Sequence, residues 1–214
     1  MAEKNKILPR NEEDLQRFPF YKKIGGRDFF FIHIPKTAGT SIARGLKLPK
    51  SERSMGIHKH YPVYKIQQAI APELWKKAYR ACFIRNPWDR TFSYYRYRAR
   101  KGKIDREEHL HSFEAWLKYE LVEQRPYKEN LRPQIHWLRD QQGQVDMSFI
   151  GRFERLEADF RQICEVLGVA VVLPHRTASL PKMDYRMQYT DELAEIVQDF
   201  YREDIAYFNY SFDG

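Results

Sequence analysis

The chain has 214 residues, with 37 Lys and Arg against 29 Asp and Glu, a formal charge of +8. At 43% hydrophobic and 15% aromatic it carries enough apolar material to offset chain-ordering entropy, which excludes a wholly disordered chain. Its apolar runs fall far short of the roughly 20 residues a membrane-spanning helix needs, and two cysteines, Cys82 and Cys164, exclude a disulfide scaffold and a zinc site built on paired cysteines.

The polar opening MAEKNKILPRNEED lacks the basic end and apolar stretch of a signal peptide, so a soluble, cytoplasmic protein is expected. The positive balance suits a polyanionic partner, whether nucleic acid, anionic membrane, acidic polysaccharide or small anionic cofactor.

Taken in order, residues 1–28 read as an irregular lead-in and residues 29–214 as one domain. The run FFFIHI, residues 29–34, is dense enough in apolar side chains to be a buried strand, and Pro35 bounds it. A helix is predicted over 40–47, with Thr40 as N-cap, followed by short helices at about 62–70 and 72–78. YRACFIR, residues 79–85, is the next strand, and Asn86-Pro87 starts a helix running to about Arg100. Helices are expected at 112–124 and 131–139, and a short strand at 147–153. An amphipathic helix then turns Leu156, Phe160, Ile163 and Leu167 inward, and Thr190 caps a last one carrying Leu193, Ile196, Val197 and Phe200. Strands alternating with helices predict an α/β fold with a mostly parallel central sheet flanked by helices. Ligands of such sheets collect beyond the carboxyl ends of the strands.

The stretch Lys36-Thr37-Ala38-Gly39-Thr40-Ser41 joins the first strand to its helix. A strand entering a small-residue turn and a helix presents backbone N–H groups to phosphate or sulfate oxygens. Gly39 permits close approach, Thr40 and Ser41 add hydroxyls, and Lys36 adds a full charge. The nucleotide-triphosphate pattern G-x-x-x-x-G-K-[ST] is absent, because here the lysine precedes the turn. A second anion site is predicted where the strand 79–85 ends in Arg85 and the next helix carries Arg90 and Ser93 on one face. The competing reading pairs Arg85 and Arg90 with Asp89 or other carboxylates.

These segments together resemble the sulfotransferases that use 3′-phosphoadenosine 5′-phosphosulfate (PAPS). FIHIPKTAGTSI is similar to their 5′-phosphosulfate loop, and FIRNPWDRTFSYYRY to their 3′-phosphate motif. FIGRFERLEADFRQICEVLG and YTDELAEIVQDFYREDIAYFNYSF resemble the carbohydrate-type branch. The resemblance implies a fold like that of P-loop nucleotide kinases, with Lys36 to Ser41 holding the phosphosulfate and Arg85 and Ser93 the 3′-phosphate. It also places Arg152 beside the adenine or its phosphate. Membrane-bound relatives carry an N-terminal anchor and stem; none is read here, which again favours a cytoplasmic enzyme.

Sulfuryl transfer needs a group to meet the charge on the departing phosphate oxygen, and Lys36 at the loop entrance suits it. No metal is expected. The acceptor hydroxyl needs a base, and histidine is matched to neutral pH. The segment Gly56-Ile57-His58-Lys59-His60 lies between the two anion motifs, and similar segments in the family supply the base. His60 is the first candidate and His58 the second; in an extended segment both point the same way. His33 reads as a buried strand residue, His136 as an acceptor-pocket residue, and His109 and His111 as surface positions. Arg96, Arg98, Arg100, Lys101, Lys103 and Arg106 form a basic stripe that either guides an anionic acceptor such as a uronic-acid polysaccharide or is simply solvated. Tyr61, Tyr64 and Trp137 stack on sugars or pack a core. The expected acceptor is a carbohydrate or other hydroxyl-bearing molecule, with no nucleic acid and no membrane span. Two alternatives stand beside this: a nucleotide or small-molecule kinase, and a basic nucleic-acid-binding module.

Overall fold

Asn11 accepts the Asp14 N–H with its side chain and starts α1 (Glu12–Leu15). Strand β1 (Tyr21–Ile24) follows and pairs antiparallel with β2 (Arg27–Ile32), Ile24 facing Arg27 across a two-residue turn. Both turn residues, Gly25 and Gly26, have positive φ (55° and 78°), which a tight hairpin between right-twisted strands demands. The lead-in is therefore not irregular throughout: an apolar residue at each end of YKKI and the paired glycines make it an edge strand. The computed structural model describes residues 7–102, 104, 112–124, 128–174 and 183–214.

The chain continues through α2 (Gly39–Gly45), α3 (Val63–Gln67), α4 (Pro72–Lys77), β3 (Tyr79–Ile84), α5 (Pro87–Arg100) and α6 (Phe113–Lys118). A π-helical turn (Tyr119–Glu123) extends α6, and a 3-10 turn (Glu129–Leu131) precedes α7 (Gln134–Leu138). Strand β4 (Phe149–Arg152), α8 (Leu156–Leu167), α9 (Asp191–Phe200) and α10 (Arg202–Phe208) complete it. The helix capped by Thr190 is α9, whose Leu193 N–H the hydroxyl accepts at 3.3 Å; it is not the last, since α10 follows. The described residues form two compact units, one drawn from residues 1–84 and 136–177, the other from 85–135 and 178–214.

The first unit holds a four-stranded sheet in the order β1-β2-β3-β4, in which β2, β3 and β4 are parallel. Alternate strand residues face opposite sides. Phe29, Phe31, Ala81 and Phe83 pack with Ile42 of α2 and with Phe160, Ile163, Cys164 and Leu167 of α8. Phe30 instead meets Phe20, Tyr21 and Trp75 of α4. Burial on both sides is why β2 reads as an unbroken apolar run rather than an alternating one. The α/β expectation with a mostly parallel sheet is met, and the antiparallel edge makes the sheet mixed.

The second unit is helical. Trp88, Phe92 and Tyr94 of α5 pack with Phe113, Trp116 and Leu117 of α6 and with Leu193 and Val197 of α9. Asn86 caps α5 as expected, accepting from Trp88 N–H at 3.0 Å.

Candidate active site

Because β2 and β4 both run parallel to β3, the loop 35–41 and Arg152, the last residue of β4, stand at the same carboxyl edge of the sheet. The loop's backbone is bent hard. Lys36 and Ala38 occupy the left-handed region at φ 71° and 65°, which costs a residue with a Cβ about 1–2 kcal/mol. Ala38, not Thr40, is the N-cap of α2, and no side chain caps it. The left-handed turn starts the helix at Gly39, so Thr40 is already its second residue and does not cap it.

Gly39 is held against the imidazole of His33. A Cβ at position 39 would lie 2.2 Å from His33 Cδ2 and 2.4 Å from Nε2, so no larger residue fits. Thr37 is fully buried and its hydroxyl donates to Ile34 C=O at 3.0 Å, leaving its backbone as the part that can serve an anion. Lys36, Ala38, Thr40 and Ser41 are half-buried.

The histidine segment docks on this loop. His60 Nδ1 lies 2.5 Å from His33 C=O, and the two rings meet edge to face at 4.6 Å. A carbonyl only accepts, so Nδ1 carries the proton and Nε2 is the basic nitrogen of neutral His60. Trp137 packs at 5.9 Å from the His60 ring. Lys59, between His58 and His60 in the chain, donates through Nζ to Thr40 Oγ1 at 3.3 Å. The His33 ring itself stays neutral. Burial, then the neighbouring His60 and Lys59, hold its pKa well below the usual histidine value.

His58 is half-buried, and its N–H donates to Tyr61 Oη at 3.3 Å. The chain bends at Lys59, so the extended path that would align His58 with His60 is not kept. Tyr61 and Trp137 are core residues at 1% exposure, which corrects the sugar-stacking alternative for both. Tyr64 and His136 are in edge-to-face contact at 6.3 Å.

In the second unit Arg85 is clamped. Its Nε and one terminal nitrogen donate to the two Asp89 oxygens, each at 2.7 Å. Ser93 is half-buried on α5. Arg90 departs from expectation: it is 2% exposed, donates to Arg132 C=O at 2.8 Å and lies 5.1 Å from the Tyr201 ring. The helix turns it to the apolar side with Trp88 and Thr91, so it braces the interior rather than receiving a ligand. Arg98 is likewise buried, paired with Glu120 at 3.2 Å, while Lys128 also pairs with Glu120. That removes Arg98 from the basic stripe; Arg96 lies over the Phe92 ring and Arg100 is exposed. Lys103, Arg106, His109 and His111 lie outside the described residues. Arg152 is half-buried, with its N–H donating to Asp159 at 2.7 Å.

The family model described as the sulfotransferase family matches residues 25–211, nearly the whole chain. The chain belongs to the sulfotransferase family. A solved sulfotransferase from Alicyclobacillus acidocaldarius is similar at 18% identity, covering 96% of this chain and 94% of that one, with a TM-score of 0.44. No curated protein matches. Sulfotransferases of this family generally take the sulfuryl group from PAPS and pass it to a hydroxyl-bearing acceptor, so sulfuryl transfer displaces the kinase and nucleic-acid-binding alternatives. Among the described residues no group of three or more His, Cys, Asp and Glu is placed to hold a metal ion. Nor is any described helix of this sulfotransferase long and apolar enough to cross a membrane.

Lys59 and Gln134 are the residues that sequence reasoning left without a role, while His33 is buried as expected, one residue past the end of β2. Lys59 stood between two singled-out histidines, a signal that pointed to it. Gln134 gave none, since a buried amide is recognised only by what it touches.

Proposed function

We propose that the protein moves the sulfuryl group of PAPS to a hydroxyl of a carbohydrate or glycoconjugate, with His60 as base and Lys36 at the departing phosphate. The observation that carries this reading is the seating of His60 Nδ1 on His33 C=O, directly before the loop that Lys36 opens. With the proton held on Nδ1, neutral His60 carries its lone pair on Nε2, the form a proton acceptor needs.

Lys36 and the backbone of residues 37–41 take the phosphosulfate oxygens in this reading. The fit rests on Gly39, whose missing Cβ lets the loop close over the His33 ring. Arg85 and Ser93 take the 3′-phosphate, and Arg152 lies toward the adenine or its phosphate. His60 Nε2 accepts the acceptor's proton as the hydroxyl oxygen bonds to sulfur. Lys36 stabilises the bridging oxygen as its bond to sulfur breaks, giving the sulfate ester and adenosine 3′,5′-bisphosphate. His58 is the second candidate base. The loop amides and Lys36 meet the developing charge in this reading without a metal ion. The carbohydrate acceptor is supported by the resemblance of residues 149–168 and 189–212 to the carbohydrate-type branch. Residues 29–214 carry the named site residues in this reading, and β1 completes the sheet that positions the loop. Cytoplasmic location is supported by the two buried free thiols of Cys82 and Cys164.

Incubation with [35S]PAPS and a panel of a uronic-acid polysaccharide, a neutral glycan and a simple phenol tests this. Label on a glycan, lost in Lys36→Ala and His60→Ala, is the expected result. Label on the phenol alone overturns the carbohydrate assignment. Phosphoryl transfer from ATP in place of sulfuryl transfer overturns the whole reading.

A further inference from the structure

We infer that Gln134 is a positioning residue for Arg85, setting the arginine where it can read a 3′-phosphate. The inference rests on the assignment of Arg85 made above and goes beyond it to the first residue of α7. Arg85 is the first residue after β3, where the chain leaves the sheet and its backbone groups lose their ladder partners. Gln134 replaces that ladder with one side chain. Its Oε1 accepts from Arg85 N–H and its Nε2 donates to Arg85 C=O, both at 2.8 Å. This two-way amide fixes the peptide planes on either side of the Arg85 Cα, and with them the direction of the side chain.

Gln134 is itself fixed. It is fully buried, and the buried carboxylate of Asp204 on α10 accepts from the N–H of Gln134 at 2.6 Å and of Ile135 at 2.8 Å. Arg90, braced on the Leu131 and Arg132 carbonyls, supplies the positive charge facing Asp204. Asp89 then holds the far end of Arg85 through both of its oxygens. The arginine is thus gripped at its backbone by Gln134 and at its guanidinium by Asp89. A planar fork of donors serves phosphate only when its orientation is set. Asp89, by taking Nε and one terminal nitrogen, fixes the plane of the guanidinium, and Gln134 sets where the side chain begins. Arg90 is therefore drawn into the site's support without touching a ligand.

The test is 3′-phosphate discrimination, measured as the ratio of affinities for adenosine 3′,5′-bisphosphate and adenosine 5′-monophosphate by titration calorimetry. The proteins are wild type, Arg85→Ala, Gln134→Met (similar in size, without either hydrogen bond) and Gln134→Glu, which keeps the oxygen that accepts from Arg85 N–H. Wild type is expected to prefer the bisphosphate, and Arg85→Ala to lose that preference. Gln134→Met should lose tenfold or more of it, in line with the ~100-fold that an ångström of misplacement can cost. Its affinity for the monophosphate should stay within about twofold, because only the reading of the 3′-phosphate is affected. Gln134→Glu should fall between, and it carries the test if the Met variant does not fold. A wild-type preference in both Gln134 variants overturns the inference. So does an equal loss for both nucleotides, which marks Gln134 as merely structural. A wild type without preference, or an Arg85→Ala that retains it, overturns the Arg85 assignment and the inference with it.

Discussion

His60 Nδ1–H donates a hydrogen bond to the backbone carbonyl of His33, 2.5 Å away, so the base candidate hangs from the first residue after the strand that delivers the anion loop. The two are therefore separable by mutation. His60→Asn can keep a donor toward His33 C=O while removing the basic nitrogen. It should lower kcat about 10²–10⁴-fold, as loss of a general base does, with the affinity for adenosine 3′,5′-bisphosphate unchanged. Steady-state kinetics beside calorimetry checks this, and near-wild-type turnover would remove His60 from the mechanism.

Gly39→Ala tests the contact beneath the loop. The new methyl would meet the His33 ring at 2.2 Å, and that ring is buried and packed edge to face on His60. Overpacking of this kind costs about 1–3 kcal/mol, and the loop has to move to relieve it. Loss of both stability in urea and nucleotide binding is expected.

Ala38→Gly should act in the opposite sense. Ala38 is left-handed at φ 65°, a conformation glycine adopts without steric cost. Relief of strain, offset by the greater freedom of the unfolded glycine, leaves a gain of about 0.5–1 kcal/mol. A higher urea midpoint with activity retained is the expected outcome. Ala38→Val should show the reverse.

Acid should weaken the fold through His33. Its pKa is lowered in the folded chain by burial and by His60 and Lys59, while the unfolded residue titrates near 6.5. Below that pH the unfolded chain binds the proton that the folded one refuses. Stability is thus fully present above about pH 6.5 and falls as pH drops, by at most about 1.4 kcal/mol per unit from this group. Urea unfolding between pH 5 and 8 should show this slope, and His33→Asn should reduce it.

Much of the architecture was legible because one physical rule governed each piece. The unbroken FFFIHI run marked a strand covered on both faces. Asn86-Pro87 marked the start of α5, and the spacing of Phe160, Ile163 and Leu167 marked the buried side of α8. What escaped depended on partners distant in sequence. Tyr21 to Ile24 is too short and too charged in its middle to declare itself a strand, and only pairing with β2 and the two left-handed glycines make it one. Arg90 looked like a ligand arginine by its spacing from Ser93, yet α5 turns it inward, where carbonyls and Tyr201 receive it. At the site, Lys36 and the loop were visible as a motif. Ala38 as the N-cap was not, because a left-handed alanine is set by the close fit around Gly39 rather than by helix propensity.

In the proposed function this chain binds an adenosine nucleotide charged at both its 3′ and 5′ positions. Calorimetric titration of the wild-type protein with adenosine 3′,5′-bisphosphate in EDTA, beside ATP with magnesium and a short oligonucleotide, tests it most directly. Selective binding of the bisphosphate without magnesium is predicted; preference for magnesium-ATP or the oligonucleotide, or no binding of the bisphosphate, would contradict the account.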